Sequence, residues 1–101
     1  MTDFKYICNA FSLQMVNVDD YDMKVRTISE EEFNNIKSVT PSAVGHADTA
    51  NVLGVAMNRV SVTLDKGDKI VVAQLVGGRL PEGSTTLPNG FAFKYKVVEI
   101  V

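Results

Sequence analysis

The side chains of this chain best suited to chemistry fall in three short polar stretches: Asn9-Ala10-Phe11-Ser12, Gly45-His46, and Arg79 to Glu82. His46 is the single histidine of 101 residues, and it follows a glycine and precedes what reads as the start of a helix. The unpaired backbone N–H groups of a helix start favour an anion such as a phosphate. An imidazole beside a phosphate holds its proton and can pass it to a leaving oxygen. A planar guanidinium such as that of Arg79 suits phosphate oxygens and the charge that builds on them. Each stretch also has a structural reading. A histidine before a helix can simply cap it, Arg79 and Glu82 can form a surface ion pair of little energy, and Asn9 and Ser12 can be turn and cap residues.

Composition narrows the chemistry. One histidine and one cysteine, Cys8, fall short of the three or four ligands a metal site needs, so no metal and no cofactor are expected. Cys8 reads as a core residue of the first strand, and no family-type signature joins it to His46 as a nucleophilic pair. A lone cysteine cannot form an intramolecular disulfide, which fits a reducing cytoplasm. Ten basic and twelve acidic residues give a net charge of −2, which argues against non-specific duplex nucleic-acid binding but leaves room for a small anion in one pocket. The apolar runs are too short to span a bilayer, and Met1-Thr2-Asp3-Phe4-Lys5 has neither a basic leader nor an apolar stretch, so no membrane partner and no signal peptide are expected. Hydrophobic residues make up 46%, enough for a core, and residues 1–101 read as one domain.

The elements that must hold these stretches can be read from pattern. Phe4–Cys8 reads as a strand, followed by a turn in which Asn9 or Ser12 caps a helical turn through Met15. Met23–Ile28 alternates and reads as a strand. Ser29 with Glu32 forms a capping-box pattern for a helix to about Lys37. Val39–Val44 is extended or a third strand, and Asp48–Asn58 reads as a helix with Ala50, Leu53, Ala56 and Met57 on one stripe. Val60–Leu64 and Ile70–Val76, joined by Asp65-Lys66-Gly67-Asp68, predict a hairpin. Arg79–Asn89 carries two prolines and reads as a loop, and Phe91–Val97 is a final strand. The expected fold is a small α/β domain, a mixed sheet with flanking helices.

Four blocks in order, YICNAFSLQM (6–15), AVGHADTA (43–50), NRVSVTLDKGDKIVV (58–72) and GRLPEG (78–83), resemble the small viral anti-CRISPR ring nucleases that counter type III CRISPR immunity, a family with relatives in bacteria and mobile elements. The resemblance implies binding of cyclic tetra-adenylate and its cleavage to linear di-adenylate, without a metal, by a homodimer that holds the ligand at its interface. It implies that His46 is the catalytic histidine, that Arg79 and Glu82 are the family's arginine and glutamate, and that Asn9, Ala10, Phe11 and Ser12 are ligand contacts. Gly45 and Gly78, and Gly77 beside it, are further candidates for close backbone approach. Ser84–Gly90 departs from the viral members, which carry a longer, partly helical segment there.

Chemistry on a ribose needs little more than this. The 2′-hydroxyl is its own nucleophile, positioning lowers much of the barrier, and one general acid adds about 10²–10⁴-fold. Glu82 could orient His46 or draw the proton from the 2′-hydroxyl. A four-fold ring contains a two-fold axis, so a two-fold dimer would present one His46 to each of two opposite phosphates. The other readings are a dimer that binds the ring without cutting it, and a nucleic-acid-binding dimer, against which the lack of a basic helix or aromatic-basic patch speaks.

Overall fold

In the computed structural model, which describes residues 4–101, the second half of the chain supplies the two long strands. The opening Met1-Thr2-Asp3, read above as lacking a leader, lies outside the described residues. β-Branched and aromatic residues supply much of β3 (Lys69–Val76) and β4 (Ala92–Ile100), and such side chains pack well on a pleated surface. These strands pair antiparallel from Lys69↔Glu99 to Val76↔Ala92. Strand β2 (Met23–Ile28) joins the other edge of β4, antiparallel, and β1 (Ile7–Cys8) lies parallel to β3 with Ile7 opposite Val71. The sheet order is β1-β3-β4-β2, a mixed sheet of the expected α/β class.

The extended run at 41–44 prolongs the sheet beyond β1. Ile7 N–H donates to the Pro41 carbonyl at 3.0 Å, and Ala43 N–H donates to the Ile7 carbonyl at 2.8 Å. Both helices pack on one face. Helix α1 (Glu30–Lys37) starts at Ser29, whose hydroxyl accepts from Glu32 N–H at 3.1 Å, and buries Phe33. Helix α2 (Ala47–Leu53) buries Ala50 and Leu53. With Ile7, Ile28, Val44, Val71, Ala73 and Val97 these side chains form one core, and the Phe33 ring stacks on Tyr95 at 4.3 Å. The second face buries Cys8, Leu64, Ile70, Val72, Val98 and Ile100 under Phe11, Met15, Val16, Val18, Tyr21 and Val62. The Lys37 ammonium donates to the Leu53 carbonyl at 3.0 Å, tying the two helix ends together where the dipole of α2 favours a cation.

Two expectations from the sequence fail. The hairpin of Val60–Leu64 with Ile70–Val76 does not form, because β1 and β4 already occupy both edges of β3. Leu64 pairs instead with Val16, in a single parallel bridge. Helix α2 stops at Leu53 rather than Asn58. Gly54 takes the left-handed conformation (φ 75°), and Val55 N–H returns to the Ala50 carbonyl at 3.0 Å, closing the helix. Ala56 and Met57 therefore lie outside it, and Met57 is exposed.

Candidate functional site

The three polar stretches follow three extended segments that run in the same direction. β1, the run at 41–44 and β3 are mutually parallel through Ile7↔Ser42 and Ile7↔Val71. Asn9 follows the end of β1, Gly45-His46 follows the run at 41–44, and Gly77–Glu82 follows β3. They therefore leave from the carboxyl end of one side of the sheet, where α/β folds gather ligands.

His46 is the N-cap of α2, and its backbone is extended (φ −119°, ψ 123°). Its Nδ1 accepts from Thr49 N–H at 3.4 Å and lies 3.3 Å from the Thr49 hydroxyl. His46 is exposed, and Nε2, on the far side of the ring, has no partner among the described residues. One nitrogen thus anchors the ring, and the other makes no hydrogen bond among the described residues. Arg59 stands behind this turn, its Nε donating to the Gly45 carbonyl at 3.0 Å. A side chain on Gly45 would press on the Arg59 stem, 3.2 Å from an added Cβ, so that glycine makes room for arginine.

The loop after β3 is pinned at three points. Leu80 is buried, which sets the exposed Arg79 and Glu82 on either side of an anchored residue. The Ser84 hydroxyl and amide both donate to the Pro81 carbonyl, at 2.6 and 3.2 Å. Gly83 N–H donates to the Asp48 carboxylate at 3.2 Å. Asp48 belongs to the first turn of α2, so this bond ties the loop after β3, across 35 residues of chain, to the turn that His46 caps. Arg79 and Glu82 do not pair with each other. The two ion pairs among the described residues are Lys5–Asp68 and Arg26–Glu32.

Asn9, Ala10 and Phe11 border a cleft of about 410 Å³ on the second face of the sheet, floored by Val25, Val72 and Val98 with Gln74 and Lys96. His46, Arg79 and Glu82 do not line it. The hydroxyl of Ser12 accepts from Gln14 N–H at 3.2 Å and caps the short turn Leu13–Met15, and the sulfur of Met15 accepts from Ser12 N–H at 3.3 Å. Within one chain, then, Ser12 is occupied in holding a turn, and the Asn9–Ser12 stretch makes no hydrogen bond to His46 or to the loop after β3. Gly77 is likewise needed by the backbone, since at φ 121° an added Cβ would lie 2.8 Å from the Gly90 carbonyl. Gly78 (φ 128°) has open surroundings apart from the Phe91 ring.

Burial pushes the Cys8 thiol up to about 11, which disfavours the reactive thiolate. No group of three or more His, Cys, Asp or Glu side chains among the described residues is disposed to hold a metal ion. No helix among them is long and apolar enough to cross a membrane. Reasoning from the sequence missed Asp48, Thr49 and Arg59. Thr49 had a signal available, since the residue three places after a helix cap lies against it, whereas Asp48 had none, because its partner Gly83 lies 35 residues away. Arg59 had none, because its partner lies 14 residues away.

Comparison with known proteins agrees with this architecture. No curated protein matches the chain. Among solved structures, B116 of Sulfolobus turreted icosahedral virus superposes with a TM-score of 0.75 at 21% sequence identity, covering 95% of this chain and 98% of that one. At that identity the likeness establishes the fold. A family model described as STIV B116-like matches residues 5–91, a span that holds all three polar stretches, and the chain belongs to that family.

Proposed function

We propose that this protein is a metal-independent ring nuclease that cleaves cyclic tetra-adenylate to linear di-adenylate and so clears the messenger of type III CRISPR immunity. The observation that carries the reading is the Gly83–Asp48 bond, which joins the Arg79–Glu82 loop to the turn headed by His46. An exposed imidazole held by one nitrogen, and an arginine and a glutamate on a loop tied to the same helix turn, are groups suited to phosphodiester transfer. In the reaction the 2′-hydroxyl attacks the adjacent phosphorus. His46 gives its Nε2 proton to the departing 5′-oxygen, and Arg79 takes up the charge on the non-bridging oxygens. Glu82 receives the 2′-hydroxyl proton. It is not needed to orient the ring, since Thr49 already holds Nδ1. The products are a 2′,3′-cyclic phosphate, or the 3′-phosphate after hydrolysis, and a 5′-hydroxyl.

A homodimer completes the reading. The ring's two-fold axis would coincide with that of the dimer, so that two copies of His46 make two cuts. Asn9, Ala10, Phe11 and Ser12, with Gly45 and Gly78, are the proposed ligand contacts, and the protein acts in the cytoplasm. The test is product analysis after incubation with cyclic tetra-adenylate in EDTA, beside a ring whose 2′-hydroxyls are replaced by hydrogen. Linear di-adenylate with a cyclic or 3′-terminal phosphate, and an intact deoxy ring, is the expected result. A ribose ring that stays intact overturns the enzymatic reading; tight binding without cleavage would indicate a sequestering protein in its place.

A further inference from the structure

A general acid that gives up the proton on Nε2 is left with a proton on Nδ1. In this chain Nδ1 faces the Thr49 backbone N–H at 3.4 Å, a donor that cannot partner a second donor. The remaining group in reach is the Thr49 hydroxyl, 3.3 Å from Nδ1 on a residue only 9% exposed. A hydroxyl donates or accepts by rotating one hydrogen. With the ring proton on Nε2, Nδ1 accepts from the Thr49 N–H and can also take the hydroxyl hydrogen. With a proton on Nδ1, the same hydroxyl oxygen accepts it.

We propose that Thr49 is a positioning residue for His46, its hydroxyl oxygen accepting a hydrogen bond from Nδ1–H so that the ring can release the proton on Nε2. The assignment rests on the general-acid reading above. The proton balance is simple: imidazolium loses its Nε2 proton to the leaving oxygen, the neutral ring keeps the proton on Nδ1, hydrogen-bonded to the Thr49 oxygen, and water returns a proton to Nε2. Burial at Thr49 limits access for a substituting water. Asp48 on α2, Arg59 behind Gly45, and Arg79 and Glu82 on the tethered loop are the charged groups of this corner. None of them makes a hydrogen bond to Nδ1 among the described residues.

Thr49→Val keeps the shape and removes the hydroxyl, Thr49→Ala removes it with less demand on packing, and Thr49→Ser restores it. The chain has a single histidine, so the ring nitrogens give an unambiguous nitrogen NMR signal. At a pH where the ring is neutral, the Thr49 backbone N–H keeps Nε2–H the main tautomer in all four proteins, and the Nδ1–H fraction is expected to be larger in wild type and Thr49→Ser than in Thr49→Val and Thr49→Ala. The rate constant for cleavage should fall roughly tenfold in Val and Ala at unchanged KM, with recovery in Ser, the scale of one unsatisfied donor. An identical tautomer ratio in all four proteins overturns the proposal. The NMR arm needs no turnover, so a tautomer change in a protein that never cuts the ring contradicts the nuclease reading and leaves the Thr49–His46 coupling standing.

Discussion

Helices α1 and α2 start with the same hydrogen bond made by different residues. At α1 the Ser29 hydroxyl accepts from the amide three residues on, at 3.1 Å; at α2 the His46 imidazole does so at 3.4 Å. Serine is among the favoured caps, and histidine is not. Beyond the bond the two corners diverge. Ser29 is followed by Glu30, Glu31 and Glu32, placed well for the helix dipole, and Glu32 pairs with Arg26 across solvent at 3.1 Å. His46 is followed by Asp48, which holds a distant loop, and Thr49, which holds the ring. Serine would suffice to cap α2. What the histidine adds is a second ring nitrogen on an exposed residue, available for the proposed chemistry.

Substitutions at the two corners should therefore have unlike consequences. Arg79→Ala is expected to weaken both ring affinity and cleavage rate, each by about tenfold or more, the scale of a lost charge-assisted hydrogen bond. Calorimetric titration with single-turnover kinetics would measure both, and wild-type values in both would detach the loop from the site. Asp48→Ala removes the acceptor of Gly83 N–H. Cleavage should slow several-fold, amide exchange at Gly83 should quicken, and Asp48→Asn should recover part of both, since one neutral-acceptor bond is worth about 1 kcal/mol. Ser29→Ala should cost about 1 kcal/mol in urea denaturation and leave cleavage untouched. A loss of cleavage there would erase the contrast between the two corners.

The smallest effect concerns acid stability, far from either helix start. The Asp65 backbone N–H, with help from Lys5, holds the Asp68 carboxyl below its ordinary 3.8. A folded-state value below the unfolded one adds stability that is present above the unfolded value and lost as pH falls through the folded one. Asp68→Asn should flatten the acid limb of urea midpoint against pH by a few tenths of a kcal/mol, given how exposed the pair is. A limb as steep as that of wild type would show that other carboxylates carry it.

The fold was legible where structure is local. MKVRTI is strand β2 over Met23–Ile28, and Ser29 starts a helix that ends at Lys37, as pattern and capping predict. Legibility failed where pairing is distant. β3 takes β1 from 64 positions upstream at Ile7↔Val71, so the turn chemistry at Asp65–Asp68 could not make its hairpin. Gly54 ends α2 early because a left-handed closure there competes with the apolar stripe that runs on to Met57. The candidate site divides in the same way. His46, Arg79 and Glu82 were singled out by the blocks that carry the family resemblance, because by residue type alone they read equally as a helix cap and a surface ion pair. Asp48, Thr49 and Arg59 are ordinary residues of a helix or loop and acquire meaning only from what the fold sets beside them.

The most direct measurement pairs a melt with an assay on one variant, His46→Asn. Asparagine is a favoured cap, so thermal stability should equal or exceed that of wild type, while cleavage of cyclic tetra-adenylate in EDTA should fall by about a hundredfold or more with ring binding retained. Wild-type cleavage by the folded variant would contradict the general-acid role, leaving His46 a cap and nothing further.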